Sequence, residues 1–248
     1  MSIDIYELKK FYNSKMGRVV RRILQERIRR FWPEENGMRM LGVGYAVPYM
    51  RGYRNECERM AAAMAPEMGA LHWPHDEQNC VVLSDISAMP IETNSTDRLI
   101  MIHHLEHSKD KTMDLKECWR VLKSNGRMLV IVPNRSGLWS HTEWSPLGHG
   151  TPYSWTQICK QLQNNSFIYE RSEEALFLPP VQYSPFIKSA TFFENIGAKY
   201  LPIAAGVHMI EVSKQLYAKI EPGPGTRIPA FIPKILMPKP QTSRNKPG

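Results

Sequence analysis

The chain has 248 residues, 42% of them apolar and 23% charged, a balance typical of globular domains and outside the disordered range. Net charge is +8, but residues 1–30 carry nine Lys/Arg against three Asp/Glu and residues 223–248 five against none, so the rest sums to −3. A near-neutral body argues against a folded face built to read a phosphate backbone. The basic ends have two readings: weak contact with nucleic acid or an anionic membrane, or a solvated helix face and a solubilising tail. No apolar run reaches the roughly 18 residues of a transmembrane helix, and no secretory signal is seen at the N-terminus. Cys57, Cys80, Cys118 and Cys159 form no C-x-x-C and read as reduced thiols, which predicts a cytoplasmic protein.

Asp4 with Glu7 predicts a capping box opening a short helix. A second helix is expected over 14–31, where Val20, Ile23, Leu24, Ile28 and Phe31 recur at helical spacing and Arg18, Arg21, Arg22 and Arg29 fall elsewhere. Met38–Val43 is an apolar strand ending in Gly42-Val43-Gly44. A helical stretch is expected at 55–64, then short strands at 70–73, 80–83 and 99–102. Met113–Leu122 is helical by its spacing, and Asn125-Gly126 turns into a strand at 127–132. A helix at 155–162, a strand at 167–169, a helix at 186–196 and a strand at 207–212 follow. Apolar strands alternating with helices imply an α/β fold with a parallel sheet. Three segments are expected: a basic helical segment (1–34), the α/β domain (35–220) and a Pro-rich basic tail (221–248).

In such sheets ligands bind beyond the carboxyl ends of the strands, where glycines let the backbone come close. Gly42 and Gly44 sit at one such end, and Ser84-Asp85 at another. His103-His104-Leu105-Glu106-His107 satisfies H-x-x-E-H, but zinc would need His103 and His107 on one helical face. These residues follow a strand directly, with the helix starting near Asp110, so no metal is expected.

The stretch DISAMPIETNSTDRLIMIHHLEHSKDKTMDLKECWRVLKSNGRMLVIVPNR resembles the middle of class I S-adenosylmethionine-dependent methyltransferases of the type 11 kind. It has a strand-ending Asp, a Pro-apolar-acidic turn ending in Ser-x-Asp, a strand, His-x-Leu-Glu-His, a helix ending Trp-Arg-Val-Leu-Lys and an Asn-Gly turn into a strand. The resemblance spans about 42–135. The whole chain also resembles a group of uncharacterised alphaproteobacterial proteins that share the Leu41–Pro48 turn and the closing Val212–Tyr217. It implies a Rossmann-like, doubly wound, seven-stranded, mostly parallel sheet, with S-adenosylmethionine held by Gly42, Gly44, Tyr45, Ala46, Trp73, Asp85, Ile86 and His103. Asp85 would accept from the adenine amine. The loop after the fifth strand would meet an unknown methyl acceptor through His149 and Tyr153.

The chain departs from the pattern it resembles. Gly42 stands where an acid precedes the first glycine, and Ala46 and Pro48 replace the next two glycines. Trp73 is expected where an acid grips the ribose hydroxyls, with Asp76 a weak substitute. Three functions therefore compete. A methyltransferase leads, a catalytically degenerate binding or assembly factor follows, and a nicotinamide-dependent oxidoreductase is disfavoured because no G-x-G-x-x-G is present.

Overall fold

The computed structural model describes residues 3–181, 193–194, 197 and 204–215. Asp4 caps α1 (Ile5–Asn13), its carboxylate accepting the Tyr6 N–H at 2.7 Å. Ser14 ends α1 and caps α2 (Lys15–Phe31), its hydroxyl accepting the Gly17 N–H at 3.0 Å. Each helix buries one stripe: Ile5, Leu8, Phe11 and Tyr12 on α1, and Val20, Ile23, Leu24, Ile28 and Phe31 on α2. The apolar spacing read from the sequence is thus spent on packing within the domain.

Seven strands form one sheet: β1 (Arg39–Gly44), β2 (Arg59–Met64), β3 (Val81–Leu83), β4 (Thr96–Ile102), β5 (Leu122–Pro133), β6 (Phe167–Ala175) and β7 (Val207–Lys214). Their order is β3-β2-β1-β4-β5-β7-β6. β1 to β5 run parallel, and β7 runs antiparallel to both neighbours. This is the mostly parallel, doubly wound sheet expected. Helices α3 (Val47–Met50), α4 (Lys111–Val121) and α5 (Trp155–Asn164) complete the described elements used below. The chain steps outward from β1 to β3 and returns to β4 on the other side of β1. That reversal opens a crevice at the carboxyl ends of β1 and β4.

Buried polar pairs lock the helices to the sheet. Glu211 on β7 is fully buried and accepts from Trp32 Nε1 at 2.7 Å and Arg171 Nε at 2.6 Å. Buried Lys214 donates to Asn94 Oδ1 at 2.6 Å and the Leu122 carbonyl at 2.7 Å, with its ammonium 4.0 Å from the Trp119 ring centre. Among the described residues no helix is long and apolar enough to cross a membrane.

Two expected elements are corrected. Residues 59–64 form β2 rather than a helix, and 70–73 hold no strand. Met60, Ala61, Ala62, Ala63 and Met64 favour a helix intrinsically, but pairing with β1 and β3 on both sides overrides that preference. Of the helix expected at 186–196 only Phe193 and Glu194 are described, both helical. The tail from 221 lies outside the described residues.

Candidate functional site

β1 ends at Gly44, whose φ is +76°. A Cβ there would collide with the Ile102 carbonyl oxygen and lie 2.9 Å from His104 Cβ. The Tyr45 N–H donates to the same carbonyl at 3.0 Å. Gly44 therefore lets the β1 turn press against the end of β4. The need comes from the protein's own packing, apart from any approach to a ligand. Gly42 is required differently: a Cβ would meet Met50 Sδ, and Ala46 Cβ at 2.7 Å.

His103 follows β4 with φ +54°, a strained conformation for a histidine, and is fully buried. Its Nε2 lies 2.7 Å from Tyr12 Oη, and its Nδ1 3.4 Å from Glu106 Oε1, within ion-pair range but long for a hydrogen bond. The Tyr12 ring stacks on Tyr45 (centroids 5.4 Å apart, planes at 22°) and meets Tyr49 edge-on at 6.1 Å. Burial pushes the Tyr12 phenol up, so it stays neutral. Burial would also raise Glu106, but the attraction of His103 and His107 outweighs it and the carboxyl ends below its ordinary value. Neither Glu106 oxygen has a hydrogen-bond partner. Residues His103 to His107 are not helical, so His103 and His107 do not share a helix face.

Beside this sealed cluster lies an open basin of about 620 Å³ past the carboxyl ends of β2, β3 and β4. Its lining includes Glu67, Met68, Asp85, Ile86, His104 and Lys109. The size suits a small ligand. Asp85 Oδ1 accepts the Ser87 N–H at 2.9 Å and the Ser87 hydroxyl at 2.8 Å, capping the turn Ile86–Ala88. Those two bonds hold its carboxyl below the ordinary range. Glu67 and Lys109 pair at 2.7 Å. His104 Nε2 is 2.8 Å from Asp114 Oδ2, which anchors the loop to α4.

The predicted residues thus divide. Asp85 and Ile86 line the basin, while Gly42, Gly44, Tyr45, Ala46 and His103 are buried outside it, Tyr45 and His103 against Tyr12. Trp73 is corrected. The second strand ends at Met64, so Trp73 does not occupy the position after it and does not line the basin. The first acid beyond β2 is Glu67. Tyr153 is buried and donates to the Leu105 carbonyl at 3.1 Å, with Lys111 Nζ 4.9 Å from its ring centre. Exposed His149 lines a second cavity of about 360 Å³ with Glu7, Lys10, Phe11, Glu143 and Trp144. The two predicted acceptor residues are thus set apart, one locked in the β4 loop and one at a surface cavity.

Sequence reasoning missed Tyr12, Glu67 and His104. Tyr12 left no signal, because its partner His103 is 91 positions away. Glu67 was hidden by the misplaced second strand.

Residues 41–130 match the Methyltransf_11 family, described as a methyltransferase domain. No curated protein matches the chain. A SAM-dependent methyltransferase from Archaeoglobus fulgidus superposes with TM-score 0.58 at 16% identity, covering 83% of this chain and 97% of that one. One from Thermotoga maritima gives 0.59 at 15%, covering 85% and 98%. The [4+2]-cyclase SpnF gives 0.53 at 15%, covering 78% and 80%. Such identities establish a shared fold, and the cyclase shows that this fold does not fix the reaction. The chain therefore carries a methyltransferase-domain signature over residues 41–130, inside the fold of S-adenosylmethionine-dependent methyltransferases.

Proposed function

We propose that the protein is an S-adenosylmethionine-dependent methyltransferase whose cofactor enters the basin at the ends of β2, β3 and β4. The observation that carries this reading is the pairing of the 41–130 match with an open basin that contains the strand-ending Asp85. The residues fit the adenosyl part of the group. Asp85 would accept from the adenine amine, Ile86 would pack on the base, and Glu67 is the acid available for the ribose hydroxyls. When bound, the cofactor supplies an electrophilic methyl group on sulfur. The chain's own work is to position the acceptor and keep water out. The Gly44 turn and His103 would stand at the reactive end, where Tyr12 packs on Tyr45 and His103. The cytoplasmic setting read from the free thiols, and weak contact of the basic ends with an anionic surface, belong to the same reading.

Titration calorimetry with S-adenosylhomocysteine tests it, with NADH as control. Saturable heat with the first and none with the second is expected. Asp85→Ala should weaken binding about ten- to a hundredfold, the cost of losing a charged acceptor. Asp85→Asn should be intermediate, and melting curves separate this from loss of the Ser87 cap. If Asp85→Ala melts lower with affinity unchanged, Asp85 is a cap alone. If the unmodified chain gives no heat at millimolar ligand, the degenerate binding-factor reading takes first place.

A further inference from the structure

The Tyr12 side chain has the surroundings of a bound ligand. Its ring lies parallel to Tyr45, edge-on to Tyr49 and inclined at 64° to His103, an enclosure matched to one flat aromatic ring. Its hydroxyl meets one nitrogen, His103 Nε2, at 2.7 Å. A proton on Nδ1, which faces Glu106 Oε1 at 3.4 Å, would leave Nε2 as the acceptor. The Glu106 carboxylate is buried, and against the pull of burial His103 leads the groups that hold it ionised. Its negative charge faces the His103 ring, whose gain of a proton it would stabilise. His103 walls the slot, its neighbour His104 lines the basin, and the Gly44 turn presses on both. Tyr12 is replaceable in principle, because it lies in the last turn of α1, one residue from Asn13, and Ser14 alone joins α1 to α2.

We infer that the slot filled by Tyr12 is the acceptor subsite, that it takes an aromatic hydroxyl compound, and that Tyr12 is its resident stand-in until α1 withdraws. This rests on the proposed methyl transfer. The phenolic proton passes to His103 Nε2, and the oxygen lone pair forms the new O–C bond. The S–C bond breaks with its electrons left on sulfur. The products are an aryl methyl ether and a thioether, and the imidazolium later releases its proton to water. His103 is the catalytic base, and Glu106 the positioning residue that holds its tautomer.

The test uses the full chain and two probes of one shape, 4-methylphenol and 1,4-dimethylbenzene. Tyr12→Ala empties the slot. It should bind 4-methylphenol at least tenfold more tightly than 1,4-dimethylbenzene by calorimetry, without cofactor. The preference should vanish when His103→Asn is added, a residue that tolerates the same backbone conformation. With S-adenosylmethionine the same chain should form 4-methylanisole. Glu106→Gln should cut kcat at least tenfold with KM for 4-methylphenol nearly unchanged. Equal binding of the two probes would overturn the inference. So would S-adenosylhomocysteine binding without any ether formed, which leaves the cofactor reading standing. Absence of S-adenosylhomocysteine binding would overturn both. Should Tyr12→Ala be recovered poorly folded, its thermal midpoint with 4-methylphenol against that with 1,4-dimethylbenzene reads the same preference, and equal stabilisation by the two overturns the inference.

Discussion

Gly44→Ala is expected to be among the most damaging single-methyl additions in the domain, and neighbouring glycines separate its two causes. A residue other than glycine in the left-handed region costs about 1–2 kcal/mol. Gly44 has φ +76°, so that cost applies in full. The added Cβ also collides with the Ile102 carbonyl and crowds His104 Cβ at 2.9 Å. One of these atoms is backbone in a paired strand and cannot swing aside, so overpacking adds roughly 1–3 kcal/mol. The sum is about 2–5 kcal/mol, a large part of the 5–15 kcal/mol that typically holds a domain together. Gly37 has φ +72° but nothing within 4 Å of a Cβ, so Gly37→Ala isolates the backbone cost. Gly52 has neither strain nor a neighbour, so Gly52→Ala should be neutral or stabilise by about 0.4–1 kcal/mol. Equilibrium urea unfolding followed by circular dichroism measures all three. If Gly37→Ala costs as much as Gly44→Ala, the collision with β4 contributes nothing and the reasoning fails. A Gly44→Ala midpoint equal to wild type would refute the turn geometry itself.

Glu106 has a depressed carboxyl, so it contributes stability that is present above the ordinary value near pH 4.3 and lost as pH falls through its folded value. Glu106→Gln should therefore be less stable than wild type at neutral pH, with the gap closing in acid; a gap independent of pH in urea titrations would exclude this linkage. Lys214→Met keeps the stem but leaves the Leu122 carbonyl and Asn94 without their donor, at a cost of about 1–3 kcal/mol. Unchanged urea midpoints would show the network to be neutral. Burial pushes the Cys57 thiol to about 11 and Cys159 to about 12, and Cys118 is fully buried. Iodoacetamide at pH 8 should therefore label Cys80 first in the native chain, and mass spectrometry showing early Cys118 labelling would contradict the packing.

Much of the architecture was legible because it is written locally. Asp4 and Ser14 sit one residue before their helices and satisfy N–H groups two or three residues on. The apolar stripe of α2 and the runs of β1, β4 and β5 carry their burial in their own periodicity. Asp85 at the end of β3 and the Gly44 turn at the end of β1 could be read because strand ends and glycines mark the ligand face of a parallel sheet. Tertiary structure decided the rest. Residues 59–64 are intrinsically helical in composition and become a strand only because β1 and β3 supply hydrogen bonds on both sides. That one reversal moved the end of the second strand from Trp73 to Met64 and brought Glu67 to the basin. The union of Tyr12 with His103 joins residues 91 apart, and neither one's sequence neighbourhood signals the other. Local sequence sets which segments form and which faces they bury. Which distant side chains share a buried volume follows only once the sheet order is in place.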